Sequence, residues 1–491
     1  MNAPNTTGNL HPDHAHPQRW LALMIVLSAA FLAVLDFFIL NVSIPTIQAD
    51  LHASFAQIQW LIAGYGLAYA VFLITGGRLG DIYGRKRMFM LGVGGFTLAS
   101  ALCGFAHSPE MLVASRVVQG FMAAIMFPQV LSIILVTFPP EEKNRAFSIF
   151  GASLGMAAIA AQLIGGFLVD ANLFDLHWRP IFLVNLPVGI LALILAQRIV
   201  PESRAPHALK LDLGGVALGT LALLLLMYPL VQGREQGWPP WMFGLLAMSI
   251  PATAIFLRYE KWKLARDGSP LVELPLFRDY GFMMGLLVTL AFYGGLSAFF
   301  MTVTLFLQDG AGFSATRTGY VFVPFAAGFF LASTLSPRIM RMVGRYILNV
   351  GGSLMILGLI GIDWRVRSLG TQLALRQLVP MTLCYGFGQG CVMPQLVNIV
   401  LSSVDRTHAG SASGLLTTTQ QVALAAGVAA IGNVYFALLG PHPQPADFAL
   451  ALGHSLLWNI GLLCVAFLLA LMLPRRAKFE VSTEDAHAAA A

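Results

Sequence analysis

The sequence predicts an all-α membrane protein with fourteen transmembrane helices. Of its 491 residues, 11% are charged and 57% are hydrophobic, whereas a soluble domain is about a quarter charged. The apolar residues fall into runs close to the ~20 residues that a helix needs to cross ~30 Å of hydrocarbon. Short connections separate the runs and hold most of the Lys and Arg, which leaves no stretch for a sizeable soluble domain. A net charge of +6 could signal nucleic acid, but the basic residues are spread between apolar runs, where they act as topology signals.

In chain order, the runs bounded by charge or turn residues predict helices over 20–44, 55–77, 88–106, 111–137, 146–169, 180–199 and 211–231. Seven more follow at 240–259, 280–307, 319–340, 346–362, 373–401, 410–437 and 451–473. Residues 1–19 and 475–491 are polar and are read as disordered cytoplasmic tails. His11, His14 and His16 belong to the first tail and are not assigned a metal. The domain plan is a six-helix bundle over 20–200, two linker helices with flanking loops over 201–279, and a second six-helix bundle over 280–474. Cys103, Cys384, Cys391 and Cys464 lie inside apolar runs and read as small buried hydrophobes.

An even helix number puts both termini on one side. With that side cytoplasmic, 22 of the 29 Lys and Arg fall in cytoplasmic segments, as the positive-inside rule requires. Arg179, Arg234, Arg317, Arg365, Arg367 and Arg376 fall outside, and Arg116 within a span. The 363–376 loop is the weak point of this topology, because it holds three of those six outside charges. The halves also echo each other. Asp81-x-x-Gly84-Arg85 returns as Arg341-x-x-Gly344-Arg345, and Gln119-Gly120 with Pro128-Gln129 returns as Gln389-Gly390 with Pro394-Gln395. Such echoes suit two parallel repeats with two helices inserted between them.

Asp36 is the acid placed near the middle of a predicted span. A carboxylate there costs about 2.5–3.5 kcal/mol on insertion scales, so it marks a functional path or faces a partner. Its neighbours one turn away are Leu32, Ala33, Ile39 and Leu40, so any partner must come from another helix or water. Burial without a fixed countercharge would favour its protonated form. Arg116, Gln119, Gly120 and Ala123 share one face of the fourth helix, and a cation there could stabilise the ionised carboxyl. The stretch Gly77 to Arg87, with Gly77, Asp81, Gly84, Arg85 and Lys86, occupies a very short loop in which Asp81 can pair with Arg85 or with a facing helix end. Gly151 and Gly155, then Gly165 and Gly166, are spaced for close packing or bending of the fifth helix.

At these residues the chain resembles the major facilitator superfamily, in its fourteen-helix drug:proton antiporter branch. Gly77 through Lys86 resembles the signature after helix two, and Arg116 through Gly120 the helix-four motif. Leu35 through Pro45 resembles the first-helix motif, with Phe38 where Thr is usual. Trp60-x4-Tyr65 and Trp178 through Gly189 also match the branch. One departure stands out: Ala161-Gln162 replaces the usual Gly-Pro before Gly165-Gly166, which removes a kink and restores a backbone donor.

The resemblance implies the major facilitator fold and alternating access around a central cavity. Asp36 would carry the proton, Arg116 would tune it, and Asp81 with its basic neighbours would latch the cytoplasmic side. Tyr65, Gln119, Gln162, Gln389, Gln395, Asn398, Gln420 and Gln421 are candidate cavity groups. The expected activity is export of a drug or other small organic compound against protons across a bacterial inner membrane. Such an exporter needs no cofactor beyond the proton gradient. Its partners would be substrate, H+ and lipid, with a periplasmic adaptor and an outer-membrane channel as further ones and no nucleic acid. Proton-coupled import is the alternative, ahead of a non-transporting receptor or a channel. No Gly-Lys pair exists for a P-loop, and no cluster of acids and histidines within the spans points to an enzyme.

Overall fold

Fourteen long helices follow one another in the computed structural model, which describes residues 18–205, 209–404, 409–440 and 443–473. They are α1 (Arg19–Leu51), α2 (Phe55–Tyr83), α3 (Arg85–Gly104), α4 (Pro109–Thr137), α5 (Pro140–Ala171), α6 (Pro180–Ile199) and α7 (Leu213–Gln232). The rest are α8 (Pro240–Asp267), α9 (Tyr280–Leu305), α10 (Ala315–Val343), α11 (Ile347–Leu369), α12 (Leu375–Ser402), α13 (Ala409–Leu439) and α14 (Pro445–Leu471). Thirteen are long and apolar enough to cross a membrane. The remaining one, α12, is 28 residues long and more polar, carrying Gln377, Gln389, Gln395 and Asn398. The predicted tails up to residue 17 and from 475 on, with the three tail histidines, and Arg406 lie outside the described residues, while Arg19, expected in the first tail, opens α1 and pairs with Glu142 at 2.6 Å.

Most predicted spans are the apolar centres of longer helices. At 1.5 Å per residue a 33-residue helix such as α1 is about 50 Å long, so its ends overshoot the hydrocarbon. This corrects several boundaries: Gly77 to Tyr83, Asp81 among them, were expected in a loop but belong to α2, and Gly84 alone makes the turn into α3. Glu260 is helical and fully buried on α8. Asp363, Arg365 and Arg367 ride on the end of α11, where Arg367 pairs with Asp363 at 2.8 Å and offsets part of the misplaced charge. Helix starts follow local chemistry. Ser54 and Gln57 form a reciprocal capping box, and Ser108, Asp279 and Ser314 each cap the next helix with a side-chain oxygen.

Two groups of six helices pack internally. In the first, α2 and α3 lie on α4, and α1 lies on α5; in the second, α10 and α11 lie on α12, and α9 lies on α13 and α14. Helix α7 leans on α2 and α13, and α8 packs on the outside of α7. The tightest approaches need glycine. A Cβ on Gly120 would fall 2.3 Å from the Tyr65 carbonyl oxygen, and one on Gly386 would fall 1.9 Å from that of Phe325. Gln129 donates to the Gly76 carbonyl at 2.7 Å, while Gln395 donates to Ser336 at 3.0 Å.

These contacts correct the repeat register. Tyr65 and Gly76 on α2 correspond to Phe325 and Ser336 on α10, the same shift that relates Asp81 to Arg341. Gly120 and Gln129 on α4 correspond to Gly386 and Gln395 on α12. Gln119 therefore has Tyr385 as its counterpart, not Gln389, and Arg116 has Thr382. The second half holds no copy of the charged face of α4.

Where the two groups meet, α5 and α10 are closest toward the end that holds Asp50, whereas α2 and α13 stay in contact further along, Thr418 donating to the Ala70 carbonyl at 3.1 Å and a Cβ on Gly414 falling 3.1 Å from Ile74. Phe55 of α2 stacks on Phe436 of α13 at 4.1 Å, Gln308 donates to the Val42 carbonyl at 2.7 Å, and Phe38 packs edge-on against Phe300 at 5.5 Å. Along α5 the contact with α10 loosens toward the Asp81 end. A Cβ on Gly166 would meet the Ala315 carbonyl at 2.6 Å, one on Gly155 would find Phe329 at 3.5 Å, and one on Gly151 would find nothing within 4 Å.

Candidate functional site

Asp36 is fully buried and turns away from that seam, into the first group of helices. Its partners come from other helices, as its apolar i±3 and i±4 neighbours require. One carboxylate oxygen pairs with Nη1 of Arg116 on α4. The other accepts from Nε2 of Gln119 at 2.8 Å and from Nδ2 of Asn185 on α6 at 2.9 Å. Ser100 on α3 accepts from the same two amides, at 2.8 and 3.2 Å, so four helices converge on one carboxylate. The expectation of burial without a fixed countercharge is overturned: Arg116 is itself fully buried and supplies that charge.

Arg116 is held on several sides. Its Nη1 also donates to Gln119 Oε1 at 2.6 Å, and its Nε to the Leu61 carbonyl at 3.2 Å. The guanidinium lies 4.3 Å from the Tyr65 ring centre and 5.8 Å from that of Phe182. Its Nη2 has no partner, and neither does Asn185 Oδ1. The arrangement can hold one negative charge against one positive charge out of water, and a proton arriving on Asp36 would cancel one member of the pair.

Asn185 and Ser100 escaped the sequence reading. Asn185 was detectable as an amide inside a predicted span and inside the Trp178 to Gly189 motif. Ser100 carried no signal that separates it from a packing serine. In the same motif Trp178 Nε1 and Arg179 Nη1 both donate to Asp50, at 2.9 and 2.8 Å, which ties the end of α1 to the start of α6.

The other expected residues are dispersed. Tyr65 is buried against Arg116, and Gln119 belongs to the Asp36 network; neither is a free cavity group. Gln395 bridges α12 to α10 through Ser336, and Asn398 on α12 is exposed. Gln389 is buried with an unpartnered Oε1, and Gln420 is half-buried. Gln162 and Gln421 do lie at the seam. Gln162 donates to the Phe38 carbonyl of α1 at 3.2 Å while its own carbonyl backs onto Gly319 of α10, and Gln421 backs onto Gly66 of α2. Where the resemblance expects a proline kink, α5 runs unbroken and Gln162 ties it to α1. Gly165 packs on Ile39 and Gly166 on Ala315, whereas Gly151 and Gly155 make no tight packing.

The stretch around Asp81 is held by the first half and by the segments that flank α7 and α8. Arg85 pairs with Asp81 at 2.8 Å, and Gly84 (φ 111°) opens the turn into α3. Glu202 accepts from the backbone N–H groups of Lys86 and Arg87, at 3.0 and 3.3 Å, and so covers the start of α3. Lys86 Nζ donates to the Gln197 carbonyl at 2.7 Å. Among the described residues no Asp81 contact crosses to the second half, so the expected latch is not formed here. Arg78, read only as a topology charge, is buried and donates to the carbonyls of Lys210, Ser269 and Pro270, anchoring the segments that flank α7 and α8.

The family model described as Major Facilitator Superfamily matches residues 26–428. The chain belongs to the Major Facilitator Superfamily. This superfamily member is 41% identical over 438 residues to the probable actinorhodin transporter of Streptomyces coelicolor, covering 89% of this chain and 76% of that one. It is 32% identical to the tetracenomycin C resistance and export protein of Streptomyces glaucescens, covering 86% and 77%. It is 31% identical to the cephamycin export protein of Amycolatopsis lactamdurans, covering 92% and 91%. Among solved structures, an auto-inhibited POT family peptide transporter superposes with a TM-score of 0.67 at 14% identity, covering 94% of this chain and 98% of that one. That likeness concerns the fold alone. The membership drawn from the motifs is borne out, and the protein is a multi-pass membrane transporter, not an enzyme.

Proposed function

We propose that this major facilitator protein is a proton-coupled exporter of an antibiotic or other small organic compound, working by alternating access with both termini cytoplasmic. The observation that carries the reading is the Asp36–Arg116 pair, both members fully buried on a network shared by four helices. An acid buried in a span is costly unless it works. Protonation of Asp36 would neutralise it and leave Arg116 to the Leu61 carbonyl, Gln119 and the Tyr65 face. Deprotonation restores the pair, so the site has two states that differ by one proton.

The export direction rests on the relatives, whose names include export and resistance proteins. In the proposed orientation the seam is closed at the periplasmic end, where Phe55 meets Phe436, and loose between α5 and α10 at the cytoplasmic end around Gly151. Efflux of a broad antibiotic panel from cells overexpressing the chain, with substrate-driven proton movement in inside-out vesicles, tests the reading. Substrate-dependent release of protons from those vesicles supports antiport. Proton uptake together with substrate would make it an importer.

A further inference from the structure

The carboxylate of Asp170, at the end of α5, reaches across the seam to the first turn of α10. It accepts from the backbone N–H of Ala315 at 3.1 Å and of Thr316 at 2.8 Å. Ser314, from the second half itself, takes the next N–H, that of Arg317, at 3.2 Å. A helix leaves its first N–H groups without internal partners and carries partial positive charge at that end. In α10 one cap is therefore internal, and the other is lent by the opposite half. Both close-packing partners stand beside it: Gly166 allows α5 to approach the Ala315 and Thr316 backbone, where a Cβ would fall 2.6 Å from a carbonyl oxygen.

We propose that Asp170 is a gate-positioning residue, a cap shared across the seam that holds the Asp50 end shut and is given up each time that end opens. The inference rests on the alternating-access reading above. Asp170 is exposed at the rim, so water can replace it when the halves part. That makes the contact a bias on the equilibrium and not a lock, which a transporter that must open repeatedly requires. Gln308 and Val42 form a second, neutral tie across the same end, so loss of Asp170 weakens closure without abolishing it.

The test uses full-length protein with its four native cysteines replaced and Ala315→Cys added as a reporter. Ala315 is 4% exposed in the closed seam, so a membrane-impermeant maleimide labels it when this end opens. Asp170→Ala should raise the labelling rate about five-fold, the size expected from losing one ordinary helix cap, and Asp170→Glu should restore part of the slow rate. The Ser314 hydroxyl also bonds Asp170, so fraying is separated from opening by a second reporter, Ala56→Cys, which is 3% exposed beside Phe55 at the same end and should be labelled faster in Asp170→Ala as well. Acceleration at Ala315→Cys alone would mean that the helix end frays, and would overturn the gate role. An unchanged rate in Asp170→Ala would overturn it too. Labelling in the Asp170-intact reporter under an imposed pH gradient separates this from the parent reading. If that rate never responds to the gradient, proton-linked alternating access fails; if it responds while Asp170→Ala changes nothing, the shared cap alone fails.

Discussion

Replacing Asp36 by Asn keeps the shape of the side chain and removes its charge. In the native site its two oxygens accept from Arg116, from Gln119 at 2.8 Å and from Asn185 at 2.9 Å. An amide at this position must turn its NH2 toward at least one of those donors. Arg116, fully buried, is left with the Leu61 carbonyl, Gln119 Oε1 and an aromatic face. Removing one partner of a buried pair costs about 3–5 kcal/mol, because the other charge stays buried, whereas removing both is often close to neutral. Asp36→Asn and Arg116→Gln should therefore each lower the melting temperature in detergent. The double variant should recover about half of the combined loss, with a coupling of at least about 3 kcal/mol. Gradient-driven efflux should fall to background in all three, which separates coupling from folding. Additive losses in the double variant would refute the ion pair as an energetic unit. Full efflux by Asp36→Asn would remove Asp36 from the mechanism.

Other expectations follow from the same contacts. Asn185→Ala should reduce gradient-driven efflux several-fold while Asn185→Asp abolishes it, because the second acid would sit at hydrogen-bond distance from the first; vesicle efflux assays on both variants measure this. Arg78→Ala should cost about 1.5–3 kcal/mol, as expected for a charged hydrogen-bond donor, and should raise proteolysis near Lys210 and Ser269, whose carbonyls it holds. Gly120→Val and Gly386→Val should both fail to accumulate in membranes, since each would drive a side chain into a carbonyl of the facing helix; immunoblots of membrane fractions decide that.

The helices were legible because hydrocarbon imposes a length and a composition that few other constraints imitate. Their ends were less so: α8 and α11 run past the continuous apolar stretch, where polar side chains such as Glu260 and Arg367 remain helical by finding partners. Asp36 and Arg116 could be singled out because charge within a span is rare, but their pairing could not, since it depends on how α1 and α4 are rotated about their axes. The cavity list failed at Gln119 and Gln395 for a related reason. A glutamine in a bundle reads the same in sequence whether it faces a cavity or, as these do, bonds to a neighbouring helix. The repeat register was misread by four residues at Gln389-Gly390 because a Gln-Gly pair carries less information than the backbone contacts of Gly120 and Gly386.

α1 connects the buried pair to the seam. Asp36 points into the first half, toward α4 and α6. Within the next two turns Phe38 touches Phe300, Ile39 underlies Gly165, the Phe38 carbonyl accepts from Gln162, and the Val42 carbonyl accepts from Gln308. The residues that feel the proton and those that seal the two halves are thus separated by at most six positions on one helix, a rise of about 9 Å. The only proline inside α1, Pro45, lies beyond Val42, so the stretch from Asp36 to Val42 keeps its backbone N–H bonds and rotates or tilts more readily than it deforms. If neutralising Asp36 relaxes its grip on Arg116, the small reorientation of α1 that follows must shift Phe38, Ile39 and Val42 together. In the proposed cycle this lets one proton in the first half loosen contacts that belong to both.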